Sequence, residues 1–219
     1  MSIQSTVLNF FLKKFVKNTK PSPDEYSYQD MRDLMNDSFE MGEKNFIERL
    51  IIKSTFANKR SSIKSTETIL DGIRTLKITR DDSQKEKCIL YFHGGGYIAG
   101  SPETHLNLLK EIYNNSKITI YAIDYSLSPE SKFPLALNEA VRSYTALRDL
   151  GYQANNIIIG GDSAGGNLSL VCTLKLQENN QELPLKLFLL SPWTDLTASG
   201  KSIESNSISD PYLSYDDFH

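Results

Sequence analysis

An α/β fold, a mainly parallel central sheet with helices on both faces, is predicted by three observations. From residue 88 onward, short apolar runs alternate with longer stretches whose apolar residues recur at helical spacing. Two of the apolar runs pass straight into glycine-rich turns, His93-Gly94-Gly95-Gly96 and Gly160-Gly161-Asp162-Ser163-Ala164-Gly165-Gly166. The 219-residue length suits one domain with a sizeable core and a smaller appendage. No internal repeat breaks the pattern.

Residues 1–60 read as helical and connecting segments without strands. Ile3, Val7, Leu8, Phe11, Leu12 and Phe15 share one helical face, with Lys13, Lys14 and Lys17 off it. Such a helix buries its apolar face on its own protein in preference to a membrane interface. Pro21-Ser22-Pro23-Asp24 ends it. Residues 30–36 add a turn or two, and residues 38–53 a longer helix with Phe39, Phe46, Ile47 and Leu50 inward.

Strands begin near Lys64. Residues 66–70 and Ile73–Thr79 flank Asp71-Gly72, a hairpin signal. Residues 81–87 read as a charged turn and residues 88–92 as the next strand. Residues 102–115 hold a helix with Leu106, Leu109, Ile112 and Tyr113 as its stripe. Ile118–Ile123 is an apolar strand, followed by a turn over residues 124–130. Residues 135–150 form a helix with Leu137, Val141, Tyr144 and Leu147 inward, and Gly151 suits its C-cap. The strand over residues 157–159 leads through the second glycine turn to a helix over residues 167–176, and residues 185–190 form another strand. Crossovers between parallel strands are expected to be right-handed. Residues 197–219 are polar with little periodicity.

Ser163 is the centre of a G-x-S-x-G pattern set between a strand and a helix. A sharp turn there strains the serine backbone and pushes its hydroxyl out at the end of the sheet. Gly161 and Gly165 lack side chains because strand and helix approach closely. His93-Gly94-Gly95-Gly96 complements this. Attack on a carbonyl builds negative charge on its oxygen, and fixed backbone N–H donors aimed at that charge are worth about 3–4 kcal/mol each. The candidate donors are the amides of Gly95, Gly96 and Ala164, the residue after the nucleophile. A phosphate-cradling role for the glycines is disfavoured, since neither G-K-[ST] nor G-x-G-x-x-G is present.

These motifs, with Asp124-Tyr125-Ser126-Leu127-Ser128-Pro129-Glu130, Phe133-Pro134, Asn167 and Ser191-Pro192-Trp193-Thr194-Asp195, resemble the hormone-sensitive-lipase-like family of α/β hydrolases. They span most of residues 88–195, in the family's order and spacing. The resemblance implies an α/β-hydrolase fold, with residues 61–219 as the core and residues 1–60 contributing a helical cap. It implies a carboxylesterase or lipase-type serine hydrolase that acts on short acyl esters through a Ser163 acyl-enzyme. His93 then braces the glycine loop with Gly94, and Asp162 and Asn167 hold the elbow and its helix. Ser126 stands where the family usually has Arg, so a buried ion pair is expected to be missing.

A serine hydroxyl needs a base, and the base an acid to orient it; in α/β hydrolases these follow the serine in the order Asp or Glu, then His. At about 30 residues per strand–helix unit, both are expected beyond His219, leaving the core without its last two strands. Of the three histidines, His93 and His105 precede Ser163, and His105 fits the start of a helix. His219 follows it, with Asp195 or Asp210 between, but is terminal. The chain is therefore expected to have weak or no activity alone, and the strand over residues 185–190 to be an apolar edge. That leaves a homo-oligomer or a complementing C-terminal fragment open as partners. Alternatives are a non-catalytic small-ligand binder that retains the pocket, and the product of a split gene.

A net charge of −3 without a basic face argues against nucleic acid. The histidines are too scattered for metal-ligand spacing, and no organic cofactor is implied. Cys88 and Cys172 read as small core residues. No stretch is long enough to span a bilayer, and the N-terminal lysines follow the apolar run where a secretory signal would place them before it. The expected location is the cytoplasm.

Overall fold

The hairpin signal at Asp71-Gly72 is realised as the tight turn between β1 (Lys64–Leu70) and β2 (Ile73–Thr79), with both turn residues at positive φ, 46° and 77°. Two adjacent left-handed residues match the twist of the flanking strands, which is why Asp-Gly is favoured there. The computed structural model describes residues 63–206, together with Gln29, Arg32, Asp33, Met35, Asn36, Asp37 and Ser209. The expected helices over residues 1–20 and 38–53 lie outside the described residues. The expected turn or two near residues 30–36 is present, since Gln29, Arg32, Asp33, Met35, Asn36 and Asp37 are helical.

The remaining elements follow in alternation: β3 (Gln84–Phe92), α1 (Leu106–Ser116), β4 (Ile118–Ile123), α2 (Leu135–Asp149), β5 (Ile157–Asp162), α3 (Ser163–Glu178) and β6 (Lys186–Leu190). The sheet order is β1-β2-β4-β3-β5-β6. Only β2 runs against the others, as its pairings with β1 and β4 are antiparallel and the rest parallel. Among the described residues β6 is an edge, with Leu185 and Leu190 exposed.

Period-two alternation sends the central strands' side chains to two cores. Cys88, Leu90, Phe92, Tyr121, Ile123, Ile157 and Ile159 meet Tyr144 and Leu147 of α2 and Leu168 and Cys172 of α3. Ile89, Tyr91, Ile120 and Ala122 meet Leu109 and Tyr113 of α1 on the opposite face. Fully burying each large aliphatic or aromatic side chain is worth about 1.5–3 kcal/mol, so these layers hold the strand ends in place. Both cysteines are buried and free, and burial pushes each thiol up to about 12.

Several boundaries differ from expectation. β3 starts at Gln84, not Cys88: Gln84 donates its amide to Lys117 O at 2.9 Å, and a register shift separates it from the Cys88 pairing. α1 starts at Leu106, because Ser101 and Thr104 bond each other reciprocally, N to Oγ, and use residues 101–104 as a turn. β5 runs on through Gly160, Gly161 and Asp162, and α3 begins at Ser163 itself, not at Asn167. A five-residue helix, Lys201–Ser205, lies in the stretch expected to be irregular.

The chain divides into two compact units, residues 28–193 and a second made of residues 1–27 with 194–219. Within the described part of the second unit, Asp195 accepts hydrogen bonds from Thr197 N and Oγ1 and from Ser199 N and Oγ. The hydroxyl and amide donors of Thr197 and Ser199 hold its carboxyl at about 2. No helix among the described residues is long and apolar enough to cross a membrane.

Candidate active site

β3 and β5 are direct neighbours, with Phe92 opposite Gly161, so the two glycine-rich turns emerge side by side at the carboxyl ends of the strands. From β3 the chain crosses to β4 on one side and later returns to β5 on the other. A crevice at such a switch point is where open α/β sheets bind ligands.

The turn after β5 has almost no length. Asp162 is extended (φ −114°), and Ser163, the first helical residue, has φ +49°. A side chain in that left-handed region costs on the order of 1–2 kcal/mol. The turn is held from outside: Trp193 N donates to Ser163 O at 2.9 Å, and the helix starts almost in contact with β3. A Cβ on Gly165 would collide with Phe92 O, and one on Gly161 would lie 2.5 Å from Gly165 O. The close approach inferred for both glycines is thus present. Ser163 is exposed, whereas Ala164, Gly165 and Gly166 behind it are buried.

The turn after β3 is a longer glycine loop. Gly95 has φ +120°, and a Cβ there would run into Ala99 O. Gly95 O accepts from the amides of Ile98 (3.0 Å) and Ala99 (2.9 Å), which closes the loop on itself. The amides of Gly95, Gly96 and Ala164 donate to no acceptor among the described residues.

Asp162 ties the two turns together. Its carboxylate accepts from Tyr91 Oη at 2.7 Å, Gly94 N at 3.0 Å and His105 Nε2 at 3.3 Å. Burial by itself would raise this carboxyl, but His105, Tyr91 and the Gly94 amide outweigh it and hold it below the usual carboxylate range. His93 stacks on Tyr125 (ring centroids 4.3 Å apart) and bonds Gly94 O through Nδ1 at 2.7 Å. Burial pushes His93 down to about 4, so the ring is neutral, and Nδ1, facing a carbonyl, carries the proton. Tyr125 Oη donates to His93 O at 2.6 Å, and Tyr97 Oη donates to Asn167 Oδ1 at 2.7 Å. Where the family's arginine would stand, Ser126 gives Glu139 two hydrogen bonds instead, from N at 2.7 Å and from Oγ at 2.8 Å.

His93, Gly94, Gly95, Gly96, Gly161, Asp162, Ser163, Ala164 and Gly165 therefore gather at two adjoining strand ends. His105 sits at the start of α1, as expected, and also reaches Asp162. Of the substitutes weighed within the chain, His219 and Asp210 lie outside the described residues, and the Asp195 carboxylate accepts from Thr197 and Ser199. Sequence reasoning missed the hydroxyl partners contributed by Tyr91, Tyr97 and Tyr125. It also missed Arg32 and Asn36: Arg32 Nε donates to Ile98 O at 2.6 Å, and Asn36 Oδ1 accepts from Gly100 N at 3.0 Å. None of these carries a local pattern.

A strained, exposed serine thus stands beside loop amides without an acceptor among the described residues, at the end of a mostly parallel sheet. The α/β hydrolase fold model matches residues 89–219, more than half of the chain, and the chain belongs to that family. It is 34% identical over 145 residues to an esterase of Acinetobacter venetianus, covering 66% of this chain and 48% of the relative. It is 32% identical over 136 residues to an acetyl-hydrolase of Streptomyces hygroscopicus, covering 62% and 46%. An esterase from the bacterial hormone-sensitive lipase family superposes with a TM-score of 0.81 at 26% identity, covering all of this chain and 67% of that one. The resemblance to the hormone-sensitive-lipase-like branch holds. The chain spans about half the length of the curated relatives it matches.

Proposed function

We propose that Ser163 is the nucleophile of a carboxylic-ester hydrolase acting on short acyl esters. The observation that carries this is the exposed Ser163 at φ +49°, next to a loop whose Gly95 and Gly96 amides have no acceptor among the described residues. Ser163 Oγ adds to the ester carbonyl while a base takes its proton. The resulting oxyanion accepts hydrogen bonds from the amides of Gly95, Gly96 and Ala164. Collapse expels the alcohol and leaves an acyl-serine, which water hydrolyses by the same route in reverse. Relatives named esterase and acetyl-hydrolase support the substrate class.

The base comes from outside the described residues. His93 is buried and donates to Gly94 O, and His105 is engaged by Asp162, Thr104 and Ser101. A chain without that base is expected to be slow, since losing a triad base costs on the order of a million-fold in turnover. The test compares the chain with Ser163→Ala using an aryl acetate and a fluorophosphonate that labels activated serines. Slow, Ser163-dependent labelling with little turnover is expected. Labelling that survives Ser163→Ala, or none at all, would overturn the assignment; fast Ser163-dependent turnover would place the base within these residues.

A further inference from the structure

Four of the seven residues from Gly94 to Gly100 are glycines, at positions 94, 95, 96 and 100. Such a run has little shape of its own, because glycine favours no single backbone region. Its inner side is closed by the bonds to Gly95 O. Its outer side presents two further backbone groups, Ile98 O and Gly100 N, and both are bound by side chains more than sixty residues away in sequence. Arg32 Nε donates to Ile98 O at 2.6 Å, and Asn36 Oδ1 accepts from Gly100 N at 3.0 Å. Arg32 and Asn36 are four residues apart and both helical, so they share one helix face. That face holds a carbonyl and an amide two positions apart on the loop.

The arginine reaches further. Its terminal nitrogens donate to Ser128 O at 2.7 Å and to both Glu130 oxygens, at 2.9 and 2.6 Å. Ser128 N in turn donates to Tyr97 O at 2.8 Å. One guanidinium thus clips the glycine loop to the turn that follows β4. Its side chain is 18% exposed, against 60% for Glu130. A largely buried guanidinium needs its donors satisfied, and here backbone carbonyls of both loops do part of that.

We infer that Arg32 and Asn36 are positioning residues for the oxyanion loop, fixing where the Gly95 and Gly96 amides stand relative to Ser163. The inference rests on the reading of Ser163 as an acyl-transfer nucleophile. Neither residue touches the reacting atoms. Each acts through the loop backbone, where displacements of about 0.5 Å are enough to spoil a donor aimed at a developing charge.

Phenylboronic acid tests this without requiring turnover. Ser163 Oγ adds to its trigonal boron, the hydroxyl proton leaves to the buffer, and the tetrahedral adduct bears the negative charge that the loop amides stabilise. Boron NMR reports the tetrahedral species, and titration gives its Kd. Wild type is expected to form the adduct and Ser163→Ala not. Arg32→Ala and Asn36→Leu are expected to weaken it about tenfold or more, the scale of a small misplacement at a reacting centre. Asn36→Asp keeps an oxygen for Gly100 N and is expected to stay within about twofold, the usual noise between independent variants. Melting temperatures taken alongside separate lost stability from lost adduct. Boronate affinity within about twofold of wild type in both Arg32→Ala and Asn36→Leu would make the pair simple anchors and overturn the inference, leaving the site intact. No Ser163-dependent adduct in wild type would overturn the site and the inference together. Should Arg32→Ala not fold, the contrast between Asn36→Leu and Asn36→Asp decides alone.

Discussion

The two glycine-rich turns at the ends of β3 and β5 do related work but are held by different physics. The elbow at Ser163 is fixed by contact: β3, β5 and α3 stand so close that no Cβ fits at Gly161 or Gly165. The loop after His93 is close-packed mainly on itself, Gly95 against Ala99 O and Gly100 against Gly94 O, and is tied to its surroundings by hydrogen bonds: Arg32 donates to Ile98 O, while Asp162 and Asn36 accept from the amides of Gly94 and Gly100. Contact between backbones has no softer alternative, whereas a bonded loop loses its bonds one at a time. The elbow should therefore fail as a unit and the loop by degrees.

Gly165→Ala probes the elbow and carries the largest expected effect. The added methyl would meet Phe92 O and His93 O, both backbone atoms that cannot rotate away. Overpacking of this kind costs typically 1–3 kcal/mol, and with two carbonyls in the way the expected loss is about 3 kcal/mol or more. Urea unfolding of the variant against wild type measures it. A loss as small as that of a single hydrogen bond would mean the strands can part, and the contrast between the turns would collapse.

The same contrast explains what was legible in the sequence. Asp71-Gly72 announced its hairpin, and Ile118–Ile123 was legible to both ends, because turn chemistry and an unbroken apolar run are local signals. Ser163, Asp162 and the glycines of both motifs were legible for the same reason. The ends of β5 and α3 were not: Gly160, Gly161, Gly165 and Gly166 suit neither strand nor helix by propensity, and only long-range neighbours, the Phe188 ring at Gly160, Phe92 O at Gly161 and Gly165, and Pro192 at Gly166, leave no room for a side chain inside both elements. Lys85, Glu86 and Lys87 read as a turn because a strand's solvent-exposed end shows no apolar alternation. The loop's supports were invisible for a different reason. Arg32 acts across 66 residues, Asn36 across 64 and Tyr91 across 71, separations over which spacing carries no information.

Asp162→Asn is the intermediate case, because this residue ends β5 yet holds Gly94 of the loop. A hydrogen bond to a charged group contributes about 1.5–3 kcal/mol, so a loss of about 2 kcal/mol is expected at neutral pH. The carboxyl is held below its usual 3.8 in the fold. Its contribution is therefore present above that value and lost as pH falls through the lower, folded one. The stability gap between wild type and variant should be full at neutral pH and should close below 3.8. A gap unchanged in acid would show that Asp162 acts by shape alone, like the glycines beside it.

Tyr97→Phe carries the smallest effect and is the sharpest test of degree. Tyr97 belongs to the loop and Asn167 to the helix of the elbow, and the bond between them is a single neutral one of 2.7 Å. Its removal should cost about 1 kcal/mol, plus whatever the orphaned amide oxygen of buried Asn167 cannot recover from water. Because phenylalanine keeps the ring that packs edge-on against Tyr125, at 6.1 Å between centroids, the apolar contribution is retained. Measured in the Gly165→Ala background, where the elbow has already shifted, the Tyr97→Phe loss should shrink, since residues sharing a contact do not add. Equal losses in both backgrounds would mean that the loop does not register the elbow's position, and that Asp162 by itself couples the two.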